Sequence, residues 1–151
     1  MSQYLKLFKQ MGPVMFSKAV CDVAPFFSAI DPEFVALKPG FAEVMIRNQK
    51  KVHNHIGTVH AIAICNGAEL AAGVCTDVSI PAGAKWLPVA MSVKYLAKAT
   101  TDIRVVTEAE QVNWQLAGNL DVPVAAYDSK GTKVFTAVIT MNIKHAAPEA
   151  S

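Results

Sequence analysis

The spacing of apolar residues predicts helices and strands in a definite order along the chain. Apolar residues recur at helical spacing over residues 3–21 and are interrupted at Gly12 and Pro13, so we expect two short helices that pack on a larger body. The segments EFVAL and FAEVMIR follow, with Lys38, Pro39 and Gly40 between them. Strand patterns on both sides of a Pro-Gly turn are typical of a β-hairpin.

The next segment is apolar almost without a break. It covers residues 59–77 and stops before Pro81, which predicts one long helix with Thr58 as the N-cap and Gly57 in a tight turn before it. A helix that is apolar nearly all round must be covered on every side. Three polar side chains nevertheless interrupt this helix: His60, Asn66 and Glu69.

The chain after Pro81 has the pattern of β-strands. Four segments there alternate or are rich in β-branched residues, and residues 128–131 supply a turn between the last two. Six antiparallel strands wrapped around one long central helix would cover that helix, so we predict an α+β fold of the hotdog type. We expect a single domain over residues 1–151, with N-terminal helices in residues 1–24 and a frayed tail in residues 146–151.

The composition narrows the classes of partner. The chain is 52% hydrophobic and 17% charged, which is more apolar than usual and favours either a membrane segment or an oligomer. No apolar run of about 18 residues is free of polar interruptions, and the N-terminus lacks the apolar stretch of a secretory signal. We therefore expect a homodimer or homotetramer and no membrane. A net charge of +2 without a basic block argues against nucleic acid as a partner.

The cysteines indicate the redox state of the compartment, and the histidines are the candidates for a metal site. An odd number of scattered cysteines, at positions 21, 65 and 75, is typical of a reducing compartment, so we expect the cytoplasm. His53, His55 and His60 lie close in sequence, but zinc requires ligands that converge at defined spacing, and no Cys or Asp completes such a pattern. We expect no metal, with His53 and His55 as solvated loop residues.

The stretch NHIGTVHAIAICNGAEL resembles the loop and central helix of hotdog-fold acyl-CoA thioesterases of the phenylacetate-pathway type. Their shared pattern is an Asn, then Gly-Thr-x-His-Gly, then an acidic residue about nine positions after the His. The order of the elements agrees with that family from about residue 31 to residue 144. The matching residues of this chain are Asn54, Gly57, Thr58, His60 and Glu69.

The chain departs from the family pattern at two places. Ala61 and Ile62 stand where the family commonly has glycines, although Ala61 keeps a backbone N–H. Pro88 stands where many members have a Ser or Thr that helps to hold the attacking water, and proline cannot donate a hydrogen bond.

The resemblance implies an enzyme that hydrolyses an acyl-CoA thioester to a free acid and CoA, with no cofactor beyond the CoA of the substrate. Glu69 would act as general base or nucleophile. Asn54 and His60 would complete the catalytic group, and the N–H of Ala61 would polarise the carbonyl. Other residues are expected to contact the substrate or its CoA: Gly57, Thr58, Asn66, Lys94 and Lys98. Lys94 and Lys98 are expected on the same face of one strand.

Helix geometry predicts a site that two chains share. Nine positions rotate through about 180° and rise roughly 13 Å, so His60 and Glu69 of one chain face opposite ways. A two-fold dimer with antiparallel helices would place Glu69 of one chain near His60 and Asn54 of the other.

Simpler roles stay open for these residues. Glu69 would form an ion pair with Lys94 or Arg104 across an interface. Asn66 would only form a hydrogen bond with Glu69. His60 would be a residue at the helix start that is satisfied by backbone. The alternative function is a non-catalytic protein that binds acyl-CoA or another acyl ligand. A hotdog hydratase or dehydratase ranks lower, because the His-Phe-Pro context of those enzymes is absent.

Overall fold

The computed structural model describes residues 2–147, and two long helices and six strands follow one another there. Two short 3-10 helices, Pro25–Ile30 and Lys50–Val52, connect them. The tail expected at residues 146–151 has no regular structure at residues 146 and 147, and its remainder lies outside the described residues. The long elements are α1 (Gln3–Val23), β1 (Glu33–Lys38), β2 (Phe41–Ile46), α2 (Ala61–Ser79), β3 (Lys85–Tyr95), β4 (Ile103–Thr107), β5 (Gly118–Tyr127) and β6 (Lys133–Lys144).

The six strands form one antiparallel sheet in the order β1-β2-β4-β5-β6-β3. The hairpin of β1 and β2 is confirmed. One face of β2 is fully buried, at Ala42, Val44 and Ile46. The predicted α+β architecture, with the sheet packed on a central helix, is therefore confirmed.

The central helix α2 is buried along most of its length, as its apolar sequence requires. A narrow face is less covered, because Ile62, Asn66, Glu69 and Asp77 recur at helical spacing and none of them is fully buried. We call these four residues the open face of α2. By length and hydropathy α2 resembles a membrane-crossing helix, yet 67% of its apolar window lies inside the protein, as in the core helix of a folded domain.

The start of α2 differs from the prediction. The helix begins at Ala61 and ends at Ser79, and its N-cap is His60 rather than Thr58. Thr58 lies in the preceding loop instead, where its hydroxyl accepts a hydrogen bond from the Asn54 side chain over 2.7 Å. The capping function moves two residues along the chain.

The N-terminal element α1 consists of two helical halves joined at a kink, as the interruption at Gly12 and Pro13 predicts. Gly12 adopts a φ of 78° within it, immediately before Pro13, and this left-handed conformation is one that glycine adopts readily. Phe16 from the second half of α1 is fully buried and makes an edge-on contact with Phe34 of β1. The helix is thereby fixed against the outer end of the sheet.

The other end of the sheet is the long strand β3, which pairs only with β6. Its register shifts at Val89, a β-bulge between Pro88 and Ala90. Beyond the bulge, the odd-numbered residues from Met91 to Tyr95 pair with buried residues of β6 and share their inward face. This edge stays open on a single chain, and α2 leaves much of its inward face uncovered.

Candidate active site

A cavity of ≈ 290 Å³ lies beside the first turn of α2, between the loop that precedes the helix and the segment after β3. Most of its lining is apolar, from residues such as Ile64, Leu96 and Phe135. Four residues predicted for the site also line this cavity: Asn54, Thr58, Ala61 and Lys98.

Asn54 organises the loop at the cavity wall. Its Oδ1 accepts hydrogen bonds from the backbone N–H groups of Ile56 and Thr58, over 3.1 and 3.0 Å. Its Nδ2 donates to Thr58 Oγ1, and Gly57 supplies a φ of 78° at the tip. The Asn54 amide therefore holds the shape of the loop, which restricts its freedom to orient a water or a substrate carbonyl as well.

His60 begins the helix. Its Nδ1 accepts a hydrogen bond from the N–H of Ile62 over 3.0 Å, while its backbone N–H donates to the carbonyl of Val52. His60 therefore has the simpler of its two expected roles, that of a residue at the helix start whose ring is satisfied by backbone. The Nδ1 atom thus acts as the acceptor that satisfies one of the free N–H groups of the first helical turn.

The backbone N–H of Ala61 is free of protein acceptors within residues 2–147. It occupies the first position of α2, where an N–H has no partner inside the helix, and it lies at the positive end of the helix dipole. It also lies at the cavity wall. This amide has the chemistry of an oxyanion donor.

Glu69 lies on the open face of α2 and outside the cavity of its own chain. Within the described residues no cation lies within ion-pairing distance of its carboxylate. Arg104, considered as its ion-pair partner, instead binds Glu43 over 3.0 Å. One chain thus offers a partly exposed carboxylate and a cavity that does not include it.

Asn66 does not bond Glu69, contrary to the simpler interpretation. Its Nδ2 donates instead to the backbone carbonyl of Phe26 over a long 3.4 Å. Its Oδ1 is enclosed and has no hydrogen-bond donor, which is a costly state for a buried acceptor. Asn66 joins α2 to the 3-10 helix after α1.

The prediction that Lys94 and Lys98 share a strand face is wrong. β3 ends at Tyr95, so only Lys94 belongs to the strand, where it pairs with Thr136 on the outward face. Lys98 lies in the following segment and lines the cavity. Only Lys98 is placed to meet a group that enters the cavity.

Comparison with known proteins identifies the family. Residues 12–143 match a family model described as a domain of unknown function, DUF4442. The chain belongs to this family. A crystal structure from structural genomics, APC5556, is 53% identical over 95% of this chain and 97% of its own, with a TM-score of 0.88. No curated protein matches the chain.

More distant structures show the fold of this DUF4442 chain. Thioesterase HI1161 from Haemophilus influenzae is 9% identical, with a TM-score of 0.76 over 95% of this chain and 98% of that one. The protein smu.793 from Streptococcus mutans, bound to acetyl CoA, is 16% identical, with a TM-score of 0.66 over 78% and 91% of the two chains. The hotdog fold predicted from the sequence is thereby confirmed.

Two aromatic residues near the site were not predicted from the sequence of this DUF4442 member. Tyr95 lines the cavity, and its ring stacks on Phe135 with the centroids 6.2 Å apart. The negative charge that Cys65 carries as a thiolate, followed by desolvation, raises the pKa of Tyr95. Trp86 packs on Gly73 of α2; that glycine, within a long apolar helix, was the available signal.

No metal cluster was found near these residues. Within residues 2–147, no group of three or more His, Cys, Asp or Glu side chains is arranged to hold an ion. His53 instead shares a hydrogen bond of 2.6 Å between its Nε2 and Asn48 Oδ1, and His55 is exposed.

Proposed function

We propose that this protein hydrolyses acyl-CoA thioesters in a site formed by two copies of the chain. The observation that carries the proposal is the free N–H of Ala61 at the wall of an apolar cavity, which Thr58 and Lys98 also line. Such a cavity would accept a hydrocarbon group, and the amide would meet the charge that develops on a thioester carbonyl.

The chemistry needs a base or nucleophile, and Glu69 is the candidate. As a base, its carboxylate would take a proton from water while the water oxygen attacks the carbonyl carbon. The C–S bond would then break, and the CoA thiolate would recover the proton. As a nucleophile, Glu69 would form an anhydride with release of the thiol, and water would then cleave the anhydride.

A second copy of the chain would bring Glu69 to the cavity. The edge of β3 is unpaired on a single chain, and Leu87, Met91 and Tyr95 leave large apolar areas exposed along it. An exposed apolar edge strand is a ready surface for pairing with another strand. Two-fold pairing there would set the two α2 helices antiparallel, with each Glu69 directed towards the partner's Ala61.

The relatives support the choice of substrate class. One distant structure is described as a thioesterase, and another was determined with acetyl CoA bound. We also propose a closer relation to thioesterases of the phenylacetate-pathway type, which the spacing of Asn54, His60 and Glu69 supports.

The test is a panel of acyl-CoA thioesters with detection of the released thiol. We expect turnover by the parent chain and none by Glu69→Gln, which keeps the side-chain shape but removes the charge and basicity. Circular dichroism and sedimentation of both proteins control for fold and assembly. A Gln variant that works at the parental rate would make Glu69 a structural residue and contradict the mechanism.

A second candidate function is a non-catalytic acyl-ligand binder. It is favoured by Asn54, whose amide oxygen and nitrogen are both engaged within the loop, and by Pro88, which cannot hold a water through its nitrogen. A folded oligomer that releases no thiol from any thioester of the panel, yet binds them, would establish this alternative.

A further inference from the structure

The cavity beside α2 is bounded along the helix by one aromatic side chain. Tyr95 is the last residue of β3, its ring stacks on Phe135 of β6, and it lines the cavity together with Ile64 of α2. The ring therefore lies between the sheet and the helix at the cavity wall. Ala61 and Ile64 of α2 line the cavity, and Ala61 lies one turn before Cys65.

The inward face of β3 continues past Tyr95 towards the bulge. Met91 and Val93 share this face with Tyr95, because all three pair with buried residues of β6. Met91 is still 42% exposed, so α2 does not cover this part of the sheet. A side chain smaller than Tyr95 would leave the cavity open in this direction.

The cavity is suited to a hydrocarbon group of limited length. Most of the residues that line it are apolar, and its volume of ≈ 290 Å³ is at the lower end of the range of about 300–1,000 Å³ typical of small-molecule sites. That space is too small for a whole acyl-CoA molecule. It matches a short acyl group whose carbonyl stops at the Ala61 amide.

We propose that this cavity is the acyl subsite and that Tyr95 limits it to short acyl groups. The inference rests on the proposed function for its ligand class, an acyl thioester. Each methylene that fits adds contact with the apolar wall. The first methylene that reaches the Tyr95 ring must displace it from its stacked position on Phe135, so binding weakens beyond that chain length.

The experiment measures binding without requiring catalysis. S-alkyl-CoA thioethers from ethyl to dodecyl, which cannot be hydrolysed, are titrated calorimetrically into the parent protein and its variants. We expect the parent to bind more tightly up to a short chain length and then to lose affinity, by on the order of tenfold for the first methylene that does not fit. Tyr95→Ala should move this cut-off to longer chains.

Two variants separate the ring from its surroundings. Tyr95→Phe keeps the ring but loses the hydroxyl, so the parental cut-off should remain. Val138→Ala removes an exposed apolar side chain from the outward face of the neighbouring strand β6 and should leave the cut-off unchanged. Tyr95→Leu, which preserves more packing, replaces the Ala variant if that variant unfolds on thermal melting.

The outcomes distinguish this inference from the proposed function. A parent that shows no cut-off or binds no thioether, or a Tyr95→Ala protein with the parental profile, would overturn the acyl subsite. If the cut-off moves as expected but no thioester is hydrolysed, the subsite stands and the hydrolase proposal falls.

Discussion

Gly73 lies directly beneath the indole of Trp86: a Cβ atom at position 73 would stand 2.8 Å from Cη2 of that ring. The ring is also held at its nitrogen, since Nε1 donates a hydrogen bond to Asp77 Oδ1 over 2.9 Å. The beginning of β3 is thus fastened to the open face of α2. Glycine is required at position 73 for space and not for an unusual backbone angle.

We expect Gly73→Ala to destabilise the protein by about 1–2 kcal/mol. The added methyl would overpack against a ring that cannot easily move, and this cost exceeds the gain of about 1 kcal/mol from the better helix propensity of alanine. Denaturant unfolding measures the change. In a Trp86→Leu background the same substitution should become stabilising, and a cost that persists there would show that Trp86 is not its cause.

Ala61→Pro should remove the oxyanion donor without breaking the helix. Proline is tolerated at the first helical position, and His60 already has the extended φ of −64° and ψ of 134° that a residue before proline prefers. We expect kcat for thioester hydrolysis to fall about 10²–10³-fold while the melting temperature changes little. Ala61→Gly keeps the N–H and is the matched control. Turnover by the Pro variant at the control rate would exclude this amide from the chemistry.

A mixture of inactive variants should regain activity if the site is shared. Glu69→Gln and Ala61→Pro each damage both sites of their own homodimer. In a heterodimer one site would collect both lesions and the other would be intact, so each heterodimer should have about half of the parental activity. Subunit exchange is followed by native mass spectrometry of differently tagged chains. Proven exchange without recovery would mean that both groups act within one chain.

The free edge of β3 predicts a concentration-dependent assembly. We expect sedimentation to find at least a dimer at micromolar concentration and a shift towards monomer in Met91→Lys, because a charge on this partly exposed inward face opposes burial against a second copy. Val14→Lys places the same charge on the exposed surface of α1 and serves as control. A parent that sediments only as a monomer would remove the basis for the shared site.

We expect acid pH to weaken the hydrogen bonds between Asp102, just before β4, and residues Arg47 and Asn48, just after β2. The Asn48 N–H and then the Arg47 side chain lower the pKa of Asp102. A carboxylate with a depressed pKa stabilises the fold above its unfolded value of about 3.9, and this contribution is lost as the pH falls through the folded value. The free energy of unfolding of the parent should exceed that of Asp102→Ala at pH 7, and the gap should close below about pH 4. An equal gap at both pH values would show that charge plays no part.

The sequence was sufficient for those parts of the fold that depend on periodicity. Ala42, Val44 and Ile46 alternate and are fully buried, and the apolar run of α2 is covered on most sides as expected. The helix cap was placed at Thr58 because the engagement of that hydroxyl by Asn54 depends on the folded loop. The local sequence does not show which of two nearby residues, Thr58 or His60, will cap the helix.

The site residues were predictable only in part, and for a similar reason. Asn54, Thr58, Ala61 and Lys98 do meet at one cavity, although the sequence placed Lys98 on a strand that ends before it. The position of Tyr95 could not be predicted, because the bulge at Val89 determines which face of the sheet the side chains at the end of β3 occupy. Trp86 depends in the same way on a contact with a distant glycine.

The bulge at Val89 also limits how this chain can change in length. Deleting that one residue would restore regular alternation across β3 and turn Met91, Val93 and Tyr95 to the opposite face of the sheet. The stretch between Pro88 and Tyr95 therefore tolerates the exchange of side chains far better than the loss of a residue. The exposed turn at residues 128–131 has no such constraint, so insertions and deletions among homologues should accumulate there and be absent from β3.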